Sequence, residues 1–311
     1  MKKALIVGCN GQDGGYLVQH LEALGYEVAG IDRGVAKGPL GAIDIRDTPQ
    51  VLNLLRYVAP DEVYYLAAFH HSSEDLPLDD HELFRRSFEI NTLALHNFLH
   101  AIAMESPRSR LFYAASSHVF GDPSENVQDE NTPLNPVDPY GISKTAGVHL
   151  CRSYRRQRKV FCSVGILYNH ESPRRPASFV SRKVVRAAVR ISRKVQDKLV
   201  VGDLDAMVDW GYAPDYVDAM WRILQLDEPE DFVIASGALH SVRELVQTVF
   251  ESLGLDWTAH VGVDSSVTGK RPLGVLRGNT GRLESRTGWR PATAFREMIL
   301  EMVKAEMQNE V

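Results

Sequence analysis

One turn constrains this chain more than anything else in it: Val7-Gly8-Cys9-Asn10-Gly11-Gln12-Asp13-Gly14. It follows the apolar run Ala4 to Val7 and precedes a segment in which Tyr16, Leu17, Leu21 and Leu24 share one helical face. A strand that ends in glycines and passes straight into a helix makes three demands on the backbone. Gly8 lets the chain turn sharply, Gly11 brings bare N–H groups up to a pyrophosphate, and Gly14 lets helix and strand approach closely. The spacing elsewhere in a chain is often only a turn. Here, with Gln12 and Asp13 opening the helix, it predicts a dinucleotide-binding βα unit.

The first half of the sequence repeats that rhythm. Apolar runs at Glu27 to Ile31, Glu62 to Ala67, Leu111 to Ala115 and Phe161 to Leu167 alternate with amphipathic segments. Val51, Leu54, Leu55 and Val58 share a face, and a longer helix is expected from about Leu83 to Met104. The pattern predicts an α/β protein with a Rossmann-type doubly wound parallel sheet. After Leu167 the rhythm breaks at the run NHESPRRP, and short helices mix with isolated strands. A smaller C-terminal α/β substrate domain, packed with the first part as one body, is expected from there.

Asp32 stands at the tip of the second strand, where a carboxylate accepts both ribose hydroxyls of NAD and repels the extra phosphate of NADP. Arg33, next to it, has the opposite effect, so the cofactor is NAD or NADP with NAD favoured by Asp32. Asp44 and Ile45, after a third short strand, suit the adenine edge.

Composition excludes other classes. The formal charge of -5 on 311 residues gives no field that gathers nucleic acid or an anionic membrane. Cys9, Cys151 and Cys162 are too few and scattered for a disulfide framework or thiolate site, and are read as small buried hydrophobes in a reducing compartment. The opening MKKALIVGCNG has too short an apolar run for a signal peptide, and no later stretch spans a bilayer, so a soluble cytoplasmic protein is expected. His96 and His100 have a chelating spacing but no third ligand, and no metal is expected. His70 and His71 follow a strand end near the expected nicotinamide, where a substrate contact and a plain loop role are equally open.

Tyr140-Gly-Ile-Ser-Lys144 puts a phenol and an ammonium one helical turn apart. An ammonium beside a phenol favours phenolate, so a lowered Tyr140 pKa is expected, fitting it to take a proton from a hydroxyl whose carbon loses hydride. The run Ser116-Ser117-His118-Val119-Phe120-Gly121 ends the preceding strand. With these motifs and the glycine turn, the chain resembles the extended short-chain dehydrogenase/reductase superfamily. The resemblance implies that Ser116 bonds the substrate hydroxyl, Tyr140 is the acid/base, and Lys144 holds the nicotinamide ribose and tunes Tyr140.

A narrower resemblance is to the GDP-mannose 4,6-dehydratase family. It is carried by GQDGGYL, PDEVYYLAA, Tyr168-Asn-His-Glu-Ser-Pro-Arg-Arg175 with FVSRKV, then Gly202-Asp-Leu-Asp-Ala, Asp209-Trp-Gly211, and DFVIASG with HSVRE, in order over nearly the whole chain. It implies a nicotinamide enzyme acting on a nucleotide sugar, a GDP-hexose. Leu66, Ala67 and Ala68 then contact the cofactor, Ser117 the substrate, and Asn169, Val180, Lys183 and Arg271 the base and diphosphate. Residues 1–168, with 209–229 returning to them, form the dinucleotide-binding domain; residues 169–208 and 230–311 form the nucleotide-sugar domain.

Family members oxidise carbon 4 of the hexose, remove the carbon 5 proton with a glutamate, expel water from carbon 6 and return the hydride there. His118 occupies that glutamate's position, Val208 a family arginine's, and Gly274 a family glutamate's. His118 is therefore the fourth candidate catalytic residue. The change leaves a second reading open, an NAD(P)H-dependent reductase or epimerase of a GDP-4-keto-6-deoxy sugar, and a distant third, a non-catalytic cofactor-binding sensor. The family's arginine-rich loop is shortened to Arg33–Pro39, which predicts a homodimer built on the helices around Leu83 to Met104 and Tyr140 to Gln157.

Overall fold

The structure, a computed structural model, describes residues 1–309 except 34, 38–41, 72–77 and 265–274. Apolar β1 (Lys3–Val7) leads through the glycine turn into α1 (Gln12–Ala23), then β2 (Glu27–Asp32) and a short β3 (Val35–Lys37). The next unit is α2 (Thr48–Val58) and β4 (Glu62–Tyr65). Asp47 starts α2 by accepting from Gln50 N at 3.1 Å, and Ala59 ends it in the left-handed conformation.

After β4 the chain enters α3 (Asp80–Phe88), a π-helical stretch (Glu89–Ala94) and α4 (Leu95–Glu105), then β5 (Arg110–Ala114), α5 (Pro139–Arg158) and β6 (Cys162–Leu167). The π-stretch widens the helix and frees main-chain carbonyls. Tyr65 Oη donates to Ile90 O at 2.6 Å and Tyr113 Oη to Asn91 O at 3.2 Å, so sheet tyrosines take up what the helix leaves.

The second half contains β7 (Asn169–Glu171), α6 (Val180–Ser192), β8 (Leu199–Val201), β9 (Met207–Tyr212), α7 (Ala213–Leu224), β10 (Asp231–Ile234), β11 (Leu239–Ser241), α8 (Val242–Ser252), β12 (Val261–Val263), α9 (Gly281–Thr287) and α10 (Phe295–Asn309).

The large sheet runs in the order β10-β6-β5-β4-β1-β2-β3, parallel except for β3. This is the expected doubly wound architecture. Leu5, Val7, Val63, Tyr65, Leu111 and Tyr113 face α2, α4 and α5 on one side; Ala4, Ile6, Tyr64 and Phe112 face α1 and α7 on the other. Alternation along β1 thus feeds two cores, and neither face of the sheet meets water. A third core joins α6, α8 and α10 through Val184, Val185, Ala188, Leu245, Val249, Ile299 and Met302. The five apolar runs of the first half all become strands of the large sheet.

One boundary differs from expectation. Residues 231–234, assigned from sequence to the second domain, pair with β6 as the edge strand of the large sheet. Their burial needs Val164 to Leu167 alongside, a partner more than sixty positions away that no local pattern reveals. Cys9, Cys151 and Cys162 are buried and keep their thiols, outside any disulfide. Among the described residues no helix is long and apolar enough to cross a membrane.

Candidate active site

The carboxyl ends of the large sheet open into a cleft of about 1120 Å³, closed on the far side by the loop after β7. Open parallel sheets bind ligands at this edge, where the direction of winding reverses.

One wall is main chain. Gly8 has a φ of +95°, and a Cβ there would stand 2.9 Å from Ala67 N. At Gly14 a Cβ would lie 2.2 Å from Gly8 O, so any side chain would push α1 off the turn. Gly11 caps α1 with no side-chain hydrogen bond, leaving the first amides of the helix facing the cleft. A concave glycine turn aimed by a helix start fits the diphosphate of a nicotinamide dinucleotide. Gly8, Gly11, Gln12, Asp13, Gly14, Asp32, Arg33, Asp44, Ile45, Leu66, Ala67 and Ala68 all line it.

Several of these are already engaged. Asp32 accepts from Asn10 N at 2.8 Å and Arg33 N at 2.7 Å, which fixes its carboxylate at the strand tip. Arg46 grips Asp44 with two nitrogens, at 2.9 and 2.8 Å. Gln12 spans from α1 to the loop after β7, donating to His170 O at 3.0 Å and accepting from Ser172 Oγ at 2.8 Å.

Beneath that bridge His170 Nε2 lies 2.9 Å from both oxygens of Asp13, while its Nδ1 donates to Tyr168 O at 2.7 Å. Both ring nitrogens therefore act as donors. Burial disfavours charge on each partner, but their mutual attraction outweighs it: Asp13 falls below the usual carboxylate range and His170 rises above the usual imidazole range. The pair fastens the cofactor turn to β7.

The opposite wall is built from side chains. Ser116 ends the extended segment after β5, where its Oγ accepts from His118 N at 3.3 Å and stands beside the phenol of Tyr140 on the cleft wall. Lys144, one turn further along α5, is 1% exposed and donates to Ala114 O at 2.7 Å; its Nζ is 5.7 Å from the centre of the Tyr140 ring. The lowered Tyr140 pKa expected from this neighbour is not what the protein alone produces. Burial pushes Tyr140 up to about 12, against the lowering effect of Ser116, and pushes Lys144 down to about 7. Desolvation exceeds the pairwise effect because, among the described residues, no carboxylate pairs with Lys144 to hold its charge.

His118 completes this wall. Its ring meets Tyr140 edge-on at 5.5 Å, and His70 meets Tyr140 edge-on at 4.8 Å while stacking on Phe179 at 5.4 Å. His118 Nδ1 is 2.9 Å from Asp138 Oδ2, and Asp138 Oδ1 accepts from Gly141 N at 2.7 Å. The same carboxylate thus caps α5 and holds His118; it was not among the residues expected from sequence, where an Asp before a Pro reads as a helix cap. Behind them Asn91 bonds Phe69 N at 2.9 Å, Phe69 O at 3.1 Å and Ser143 Oγ at 3.0 Å, tying the loop after β4 to α5.

The remaining candidates are spread out. Asn169 lines the cleft together with Arg175, whose guanidinium lies 3.6 Å over the Phe179 ring. Ser117 is buried below the turn and does not reach the cleft wall. Val180 and Lys183 follow Phe179 in the first turn of α6, outside the lining. Arg271 lies outside the described residues. Val208 pairs with His240 across β9 and β11 and packs on the third core, as its apolar side chain requires. His96 and His100 stack at 6.2 Å, with His96 Nε2 3.0 Å from Tyr154 Oη.

Comparison with known proteins agrees with this geometry. GDP-mannose 4,6 dehydratase 2 of Caenorhabditis elegans is 36% identical over 98% of this chain and 89% of its own length. GDP-mannose 4,6 dehydratase of Cricetulus griseus is 34% identical over 99% of this chain and 92% of its own. Among solved structures, RMD from Pseudomonas aeruginosa complexed with NADPH superposes with a TM-score of 0.85 at 24% identity, covering 99% of this chain and all of that one, which shows the shared fold. The family described as GDP-mannose 4,6 dehydratase matches residues 5–302, and the chain belongs to that family.

Proposed function

We propose that this protein is a nucleotide-sugar 4,6-dehydratase acting on a GDP-hexose of the GDP-mannose class. The observation that carries the reading is a single cleft with a glycine turn suited to a dinucleotide on one wall and Ser116, Tyr140, Lys144 and His118 on the other. Family membership supports it.

Gly8, Gly11 and Gly14 would seat the cofactor diphosphate, Asp32 its adenosine ribose and Lys144 its nicotinamide ribose. Bound there, the nicotinamide supplies the acceptor and later the donor of hydride, and in its oxidised form a positive charge that favours the Tyr140 phenolate. Tyr140, aligned by Ser116, takes the proton of the carbon 4 hydroxyl as that carbon becomes a ketone. The ketone acidifies carbon 5, whose proton His118 takes; His118 passes it to the departing carbon 6 hydroxyl, which leaves as water. The bound cofactor would return its hydride to carbon 6, and the proton added at carbon 5 balances the one Tyr140 removed from the carbon 4 hydroxyl. Asn169 and Arg175 contact the diphosphate, where a guanidinium fork is well matched.

A second reading rests on one departure. An imidazole at position 118 also serves a reductase or epimerase that receives a sugar already oxidised at carbon 4. Incubating the protein with GDP-mannose and no added cofactor separates the two. Loss of one water, detected by mass, is the expected result. No turnover there, with oxidation of added NADH or NADPH by a 4-keto sugar, would instead establish the reductase.

The proposal extends to setting and assembly. A cytoplasmic location is in keeping with three buried cysteines outside any disulfide. A homodimer formed through α4 and α5 would cover Leu93 and Met104, which are 58% and 64% exposed on α4 and the π-stretch before it. Asp32 favours NAD over NADP. Light scattering and cofactor titration test these points.

A further inference from the structure

We propose that Asp138 is a positioning residue for His118, forming an Asp–His dyad that fixes the imidazole tautomer and presents Nε2 as the proton-transfer atom; this deepens the dehydratase reading and rests on it. The family glutamate needs no such partner, because either of its oxygens accepts a proton. An imidazole has one basic nitrogen, and which one is free depends on the bond made by the other.

The bond is built into the helix start. Asp138 is fixed by its own position: Oδ1 accepts from Gly141 N at 2.7 Å in the first turn of α5, leaving Oδ2 to face His118 Nδ1 at 2.9 Å. A carboxylate accepts and does not donate, so the hydrogen of His118 sits on Nδ1, and Nε2 carries the lone pair. The His118 side chain is 31% exposed on the cleft wall. Asp138 stays ionised for this role: burial raises its pKa, but the hydrogen bond to His118 and the Gly141 amide help bring it below the usual carboxylate range.

The groups facing His118 are Asp138 and Tyr140 from α5, His70 from the loop after β4, and the Ser116 segment on which it sits. Among the described residues, Asp138 is the carboxylate within ion-pair distance of the His118 ring. The dyad therefore does two things at once. It selects the tautomer, and it stabilises the imidazolium formed when Nε2 takes the carbon 5 proton.

The test is Asp138→Asn. Asparagine keeps an oxygen for Gly141 N, so the cap of α5 survives, but it turns an N–H towards His118 Nδ1 and forces the hydrogen to Nε2. In ¹⁵N spectra of the imidazoles, wild type should show the Nδ1–H form of His118 and Asp138→Asn the Nε2–H form. Exchange of the carbon 5 proton with deuterated solvent should slow by about a hundredfold, with cofactor and GDP affinities changed less than about twofold. His118→Glu should be more active in the Asp138→Asn background than beside Asp138, because two adjacent carboxylates repel.

An Nε2–H form in wild type, or the same tautomer in both proteins, would overturn the proposal. So would unchanged exchange in Asp138→Asn. If wild type itself neither exchanges carbon 5 nor loses water from GDP-mannose, the dehydratase reading fails, while the spectra still decide whether Asp138 sets the tautomer.

Discussion

The two walls of the cleft are made of different materials. The cofactor wall is centred on backbone: three glycines and a helix start, where a close approach requires side chains to be absent, with Asp32 at the strand tip beside them. The reactive wall is a set of side chains from four segments, Ser116 and His118 after β5, Tyr140 and Lys144 on α5, Asp138 at its cap and His70 after β4. A backbone wall tolerates no addition and is hard to retune. A side-chain wall can exchange one acid/base group for another, provided its neighbours change with it; on the proposed reading the imidazole at position 118 is such an exchange.

The contrast can be broken first at the reactive wall. Tyr140→Phe should lower kcat by about a thousandfold while leaving cofactor affinity intact, measured by product mass and isothermal titration. Retained turnover would move the acid/base role to another group.

On the cofactor wall, Gly14→Ala should abolish cofactor binding and cost about 1–3 kcal/mol in denaturant unfolding, because the new Cβ meets Gly8 O at 2.2 Å. Gly25 is the control. It has a φ of +81° but nothing within 4 Å of a Cβ, so Gly25→Ala should cost only about 1 kcal/mol and leave binding unchanged. Equal binding losses in both would show that helix start and glycine turn are less tightly coupled than the contacts indicate.

A smaller effect is expected at the strand tip. Asp32→Ala should reduce the preference for NAD over NADP by about tenfold, close to 1.4 kcal/mol. A wild type that already prefers NADP would transfer control to Arg33 or Arg46.

The smallest effect concerns the Asp13–His170 clasp between the cofactor turn and β7. His170 has a raised pKa, so its contribution is complete below its ordinary 6.5 and is lost as pH rises through the raised value. Asp13 has a lowered pKa, so its contribution is present above its ordinary 3.8 and is lost as pH falls through the lowered value. The clasp is therefore complete between pH 3.8 and 6.5. His170→Gln should remove the fall in Tm that wild type shows as pH rises beyond 6.5, a difference of about 2–4 °C for each kcal/mol involved. Parallel Tm profiles would mean that His170 does not carry the charge.

What the sequence disclosed divides along the same line. The glycine turn, the strands of the first half and the Tyr140–Lys144 spacing are local patterns, and each emerges where expected. The edge strand Asp231–Ile234 was missed because its place depends on β6. Asp138 was missed because its capping role already accounts for an Asp before Pro139, and its second bond needs a histidine 20 positions back. The expected lowering of the Tyr140 pKa failed for a related reason, since desolvation depends on everything packed around α5 and not on one neighbour.

The π-stretch at Glu89–Ala94 gives the cleft a mechanical property. Its Asn91 and Thr92 clip the loop after β4 and the Ser143 carbonyl of α5, while its spare carbonyls anchor tyrosines of β4 and β5. The helix bearing Tyr140 is thereby latched to the sheet that bears the cofactor turn, so the spacing between the two walls is set by the length of that stretch, and deleting one residue from the widened turn would misalign the reacting groups without altering any of them.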